Sequence, residues 1–173
     1  MQYQISYLSP KGHARKISAA LYHLFTHRCC VKDLAIDGEV SGDACLICFE
    51  FGGTNLDAIP FKVIELLEKL EGKTILLFAT IPFEVNDGIR SRIEKTIRPF
   101  LPDECDYRGV CLCSAEPGAA LLRDLQALAA QQPDNTKAEF WLKSCSNAVG
   151  HPDKDDIRSC CEFASRNLAP DNK

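Results

Sequence analysis

The chain has 173 residues, of which 46% are hydrophobic and 25% are charged, and its formal net charge is −4. These values are ordinary for a single globular domain with a full core, and they argue against a nucleic-acid-binding role, which favours a basic face. The longest apolar run, residues 74–83, is too short for a bilayer span of about 20 residues. The N-terminus lacks a basic region followed by an apolar stretch, so we expect a cytoplasmic protein.

The first predicted elements are a strand at residues 3–7, a short turn and an amphipathic helix. The apolar face of that helix contains Ile17, Leu21, Leu24 and Phe25. The start of a helix leaves about four backbone N–H groups unpaired and carries the positive end of the helix dipole. In the turn, Gly12 lets the backbone come close to an anion. The turn is therefore a predicted phosphate site, formed by Ser9, Pro10, Lys11, Gly12, His13 and Ala14. An ordinary turn with exposed basic side chains is the alternative.

The rest of the chain alternates between strand and helix patterns. A weak signal at residues 29–36 predicts an edge strand. Continuous apolar runs, typical of parallel strands covered on both faces, lie at residues 43–49, 73–80 and 107–113. Helical patterns lie at residues 60–70 (ended by Gly72), 87–100, 117–131, 136–149 and 153–167, with a turn at residues 133–136. This order predicts an α/β fold with a doubly wound parallel sheet of five strands and extra C-terminal helices.

We expect one domain, residues 1–173, with a core at residues 1–131 and a helical extension at residues 132–173. Ligands of such sheets bind outside the carboxyl ends of the strands. Four loops lie there: residues 9–14, 50–59, 81–88 and 114–118.

The ten cysteines are predicted to be free and mostly buried, because no secretion signal indicates an oxidising compartment. Cys45 and Cys48 have the spacing of a redox or zinc pair, but strand geometry points residues i and i+3 to opposite faces. His23 and His27 are four apart on a helix, yet no third ligand is evident nearby, which favours exposed histidines. We therefore predict no metal site.

Several of these segments together resemble the flavodoxin family. Residues 9–14 share a first hydroxyl and a glycine with its phosphate loop, although Lys11 and Ala14 stand where the family has hydroxyls. Residues 49–57, 66–80 and 151–157 resemble a divergent branch, which includes the flavodoxin-like protein associated with bacterial bilirubin reductase. One departure is the loop at residues 79–83, which lacks the branch's glycines.

The resemblance implies strand order 2-1-3-4-5 and a flavin mononucleotide (FMN) cofactor with its phosphate over residues 9–14. Phe51 and Phe83 would pack on the flavin ring; the alternative places them at the rim of the core. The polar ring edge would meet backbone groups of the second loop at Gly52, Gly53 and Thr54; for these glycines a flexible surface turn is the alternative. In the third loop the predicted cofactor contacts are Thr80, Ile81 and Pro82. Trp141 is predicted to be a packing residue, and Asp153 to cap the last helix.

Three functions are compatible with the sequence. The first is an electron-transfer protein that uses FMN to supply a reductase partner, without catalytic side chains of its own. The second is a small FMN-dependent quinone or nitro-compound reductase, whose pocket a homodimer partner would complete. The third is a flavin-free module that retained the fold for partner binding. Flavin affinity separates the third from the others, and nicotinamide-dependent quinone reduction separates the second from the first.

Overall fold

A computed structural model describes residues 1–132 and 136–168 of the chain, and its order of elements confirms the predicted one. The five strands are β1 Tyr3–Leu8, β2 Cys29–Asp33, β3 Ala44–Glu50, β4 Thr74–Ile81 and β5 Asp106–Ser114. The six α-helices in these residues are α1 His13–Leu24, α2 Phe61–Leu67, α3 Asp87–Ile97, α4 Ala119–Gln131, α5 Thr136–Ser146 and α6 Lys154–Leu168. The predicted turn at residues 133–136 falls mainly on 133–135, which lie outside the described residues.

All strand pairs are parallel and the sheet order is β2-β1-β3-β4-β5, as the flavodoxin resemblance predicts. Helices α1 and α6 pack on one face, where Ile17, Leu21, Cys160 and Ala164 are buried. The other face is covered by apolar residues of α2, α3, α4 and α5. Every residue of β3 is buried, which explains why its sequence is continuously apolar up to its last residue.

Individual residues explain where several of the helices begin and end. Gly72 has φ +67°, as a glycine turn before β4 requires, but helix α2 already ends at Leu67, so the predicted helix end near residue 70 was wrong by about one turn. Helix α3 ends at Ile97 and continues as a 3-10 turn, because Pro99 has no N–H for the next α-helical hydrogen bond. The α6 helix starts with a reciprocal cap. Asp153 Oδ1 accepts from the backbone N–H of Asp156 at 3.0 Å, while Asp156 Oδ2 accepts from the Asp153 N–H at 2.9 Å.

The apolar face of α1 differs from the predicted one at its end. Leu24 is the last residue of the helix and is 42% exposed. Phe25 lies against Tyr3 instead, with ring centroids 4.5 Å apart. The contact that closes this end of the core is therefore made by the residue after the helix.

Candidate functional site

The first loop, residues 9–14, lies at the carboxyl end of β1 next to the end of β3. In the register of these two strands Leu8 is opposite Phe49, so Ser9 and Glu50 follow side by side. Glu50 is the last residue of β3, and only 5% of it is exposed. A buried carboxylate has to be paired with donors, and the loop supplies them.

The Glu50 carboxylate accepts three hydrogen bonds from this loop. Its Oε1 atom accepts from the hydroxyl of Ser9 and from the backbone N–H of Ala14, the latter at 3.0 Å. Its Oε2 atom accepts from the backbone N–H of Lys11 at 3.0 Å. The Ser9 oxygen in turn accepts from the backbone N–H of Arg15 at 3.0 Å. The loop therefore surrounds an anion, and that anion is a side chain of the same protein.

Glu50 also serves as the missing cap of α1. The N-cap residue, Gly12, has φ +90° and no side chain that could accept from the first turn. No acidic residue lies in that first turn. The Glu50 carboxylate supplies the negative charge that the helix start favours. The sequence predicted the anion-binding loop but missed this carboxylate, whose signal was a charged residue ending an otherwise apolar strand.

Pro10 and Lys11 are exposed at the tip of the loop. The Lys11 side chain extends towards the start of α4, where a Cβ atom added to Gly118 would lie 3.1 Å from its Nζ. A larger residue at position 118 would therefore displace the Lys11 ammonium. This geometry places a cation between the first loop and the loop after β5.

Two buried polar atoms at this edge of the sheet have no hydrogen-bond partner. Within residues 1–132 and 136–168 they are His13 Nδ1 and Thr80 Oγ1. Leaving such an atom unpaired costs about 1–3 kcal/mol, so each requires an explanation. His13 opens α1 and Thr80 is the next-to-last residue of β4. Both belong to loops or strand ends that the sequence assigns to the cofactor.

The second loop begins with a buried aromatic residue and then opens to solvent. Phe51 is 3% exposed, and its ring centroid lies 5.4 Å from that of Phe49. Its backbone N–H donates to the carbonyl of Thr80 at 2.9 Å. Around Gly52 and Gly53, an added Cβ would meet no atom within 4 Å. Thr54 is half-buried.

The third loop is packed into the core. Ile81, Pro82 and Phe83 are all buried, and the Phe83 ring contacts that of Trp141 with centroids 4.7 Å apart. This confirms Trp141 as a packing residue. For Phe51 and Phe83, burial matches the alternative that places them in the core, because neither ring presents a free face. A flavin contact would require the rings to leave these positions.

The turn before α6 is tied to the loop that follows β5. The backbone N–H of Glu116 donates to the carbonyl of His151 at 2.7 Å. The imidazole of His151 makes a hydrogen bond and ion pair with Asp156, which raises the pKa of this histidine above its ordinary value. Asp153 caps the helix, as predicted. The segment therefore positions the fourth loop at the same edge of the sheet.

All ten cysteines are free. Cys45 and Cys48 belong to the cores on opposite faces of the sheet, which confirms that their sulfurs do not converge. Burial raises the pKa of the Cys45 thiol to about 11 and raises that of Cys48 further, so neither is a reactive thiolate. His23 and His27 are exposed, as predicted.

Comparison with known proteins decides the family. The flavodoxin domain family matches residues 5–165. The chain belongs to the flavodoxin domain family. Among its described residues, no helix combines the length and apolar character needed to cross a membrane.

More distant relatives agree with this assignment. The chain is 21% identical over 166 residues to the flavodoxin-like domain-containing protein BilS of Clostridioides difficile (strain CD3), covering 95% of this chain and 94% of the relative. Oxidised flavodoxin 2 from Bacillus cereus is similar in fold, with TM-score 0.51 and 14% identity over 96% of this chain and 97% of that one. The flavodoxin of Streptococcus pneumonia TIGR4 has TM-score 0.50 and 12% identity over 86% and 100%.

Proposed function

We propose that this protein binds FMN and carries electrons to a reductase partner. The observation that supports it most is the first loop, whose hydroxyl and backbone N–H groups already surround an anion at a helix start. Membership of the flavodoxin domain family makes the flavin phosphate the natural external ligand. The flavin would supply the redox chemistry when bound, and the chain would hold it and tune its potential.

The donor set of the loop fits a phosphate once Glu50 withdraws. A phosphate and the Glu50 carboxylate would compete for the same donors from Ser9, Lys11 and Ala14. Two like charges about 4 Å apart repel by roughly 4 kcal/mol at an effective dielectric constant of 20, so both cannot remain in the loop. Lys11 adds a cation that would favour the more highly charged anion.

The remaining groups at this edge have roles that suit a bound ligand. The unpaired Thr80 hydroxyl and His13 Nδ1 would gain hydrogen-bond partners. The backbone at Gly52 and Gly53 is free of side-chain neighbours within 4 Å of an added Cβ, which leaves room for a flavin edge. Thr54 completes this group of predicted contacts. The resemblance to the branch associated with bilirubin reductase, together with the likeness to BilS, supports a reductase as the electron acceptor.

A flavin-free interaction module is the second candidate, and one observation favours it. Glu50 already satisfies the loop donors that a phosphate would use, and it caps α1. The first loop and the start of α1 therefore have their hydrogen bonds satisfied without a ligand. A fold alone does not determine function, so the decision rests on flavin affinity.

The experiment is an absorption spectrum of the purified protein followed by titration with FMN. Visible flavin bands, or micromolar or tighter binding that Lys11→Ala weakens, would support the electron carrier. A colourless protein that ignores FMN would leave the flavin-free module. Rapid oxidation of a reduced nicotinamide by a quinone, catalysed by the FMN-loaded protein alone, would instead support a stand-alone reductase.

A further inference from the structure

Three cysteines that are far apart in the sequence converge between the sheet and α6. Cys111 and Cys113 lie two apart on β5 and so point to the same face, and Cys160 lies on α6. The sulfur of Cys160 is 3.2 Å from that of Cys113 and 3.7 Å from that of Cys111. All three sulfurs lie within 4.8 Å of one another. We call this group the thiol triad.

The triad sits in a mainly apolar environment. Cys113 is 2% exposed and Cys160 is fully buried, within the core cluster formed by the sheet, α1 and α6. Phe78 and Phe163 belong to the same cluster, with ring centroids 5.7 Å apart. Cys111 is only half-buried, so the triad can be reached from solvent on its side.

We propose that the thiol triad binds one monovalent copper ion through three sulfur ligands. Thiolates are soft ligands that select Cu(I), Zn(II) or iron–sulfur clusters. A metal–sulfur distance of about 2.3 Å in a planar three-coordinate site places the sulfurs roughly 4 Å apart. The separations of 3.2 and 3.7 Å are shorter than that value by less than 1 Å, so small side-chain adjustments suffice. This inference is independent of flavin binding.

The number of ligands separates copper from zinc. Structural zinc sites almost always have four ligands, whereas the group found among the described residues offers three. Another buried thiol on this face, Cys48, pairs with Phe78 of β4, and Phe78 in turn pairs with Cys111 of β5. Two strand spacings put Cys48 about 10 Å from the triad, beyond the reach of the same ion.

Binding replaces three S–H bonds by three Cu–S bonds and releases three protons to solvent. One Cu(I) and three thiolates have a net charge of −2, which needs compensation in a buried place. Hydrogen bonds with the Cys113 and Cys160 thiols lower the pKa of Cys111 most, and the guanidinium groups of Arg90 and Arg166 add a smaller favourable contribution of positive charge.

The test is an anaerobic competition titration of the reduced full-length protein with Cu(I) and a chromophoric Cu(I) chelator. The adjacent thiols of Cys29 and Cys30 are replaced by serine first, because they lie on the edge strand and would bind copper themselves. We expect one Cu(I) per chain. Cys160→Ser should weaken binding by more than about 100-fold, since even the loss of an outer-shell partner of a metal site costs 10- to 100-fold.

Cys48→Ser is the matched control, a buried thiol on the same face, and it should leave the affinity within about threefold. Cys111→Ser is a second test of the triad, because a serine at the fully buried position 160 could prevent folding. It should weaken copper binding as Cys160→Ser does. X-ray absorption of the copper-loaded protein should show three sulfur neighbours. Equal affinity in the parent, Cys160→Ser and Cys111→Ser proteins would overturn the proposal. So would a preference for Zn(II), or a copper ion with two sulfur neighbours.

Discussion

The hydroxyl of Ser9 donates a hydrogen bond to the carboxylate of Glu50, a residue 41 positions further along the chain. This contact joins the loop after β1 to the end of β3, and it places a negative charge at the start of α1. The same oxygen of Ser9 accepts from the backbone of Arg15. The loop is thereby held in an anion-binding conformation without an external ligand.

The left-handed backbone at Gly12 should make this position intolerant of a side chain. An alanine at φ +90° is strained although no atom lies within 4 Å of its Cβ, so Gly12→Ala should lower the free energy of unfolding by about 1–3 kcal/mol. Gly52→Ala is the control, because that glycine also has open space and no left-handed φ; it should change stability by less than about 0.5 kcal/mol. Urea denaturation measures both. Equal effects would contradict the role of the loop conformation.

Removal of the unpaired hydroxyl of Thr80 should not harm the protein without ligand. Thr80→Val keeps the shape and removes a buried atom without a partner, so stability should stay the same or rise by up to about 1 kcal/mol. FMN affinity should fall, because the proposed contact of this hydroxyl with the ligand is lost, and an unchanged affinity would argue against that contact. Thr74→Val is the control at the other end of β4, where the hydroxyl donates to Asp106 at 3.2 Å. It should leave FMN affinity unchanged.

The contact between Phe83 and Trp141 should contribute strongly to the stability of the protein. Phe83→Ala should cost about 3–5 kcal/mol in unfolding free energy and red-shift the emission of Trp141, the single tryptophan. Phe61→Ala, at a ring that is 71% exposed, should cost little. A red shift with unchanged stability would indicate that Phe83 is not part of the core. Phe83→Leu with unchanged FMN affinity would argue against the predicted ring contact.

The ion pair of His151 and Asp156 should make stability depend on pH. Because the partner raises the folded-state pKa of His151 above its unfolded value of about 6.5, the stabilisation is complete below that pH and is lost as pH rises through the folded-state pKa. The melting temperature of His151→Gln should therefore be lower than that of the parent at pH 6 and approach it at pH 9. His27→Gln controls for loss of an exposed imidazole. A difference that grows with pH would contradict this sign.

The fold could be read from the sequence because each strand and helix has a local pattern. The apolar runs of β3 and β4 indicate strands covered on both faces, and Gly72 marks the turn just before β4. Boundaries were less certain where the last turn changes type, as it does before Pro99. In the edge strand β2 two of the five residues are exposed and none is buried, so its sequence signal is correspondingly weak.

The site was harder to predict because its decisive contacts join distant residues. The loop at residues 9–14 has a local signature, but the pairing of Ser9 with Glu50 depends on the register of β1 and β3. The thiol triad likewise needs the packing of α6 on β5. Phe51 and Phe83 follow strands at the ligand edge, and only the packing of their neighbours shows that both rings are buried.

The most direct test of the anion-binding loop compares the dissociation constants of FMN for three proteins: the parent, Glu50→Gln and Glu116→Gln. Each variant removes one negative charge, but Glu116 is exposed on the loop after β5, whereas Glu50 holds the loop donors. We predict that Glu50→Gln binds FMN at least about tenfold more tightly, a change of 1.4 kcal/mol, and that Glu116→Gln binds it like the parent. Equal affinities in all three proteins, or no binding by any of them, would contradict the account.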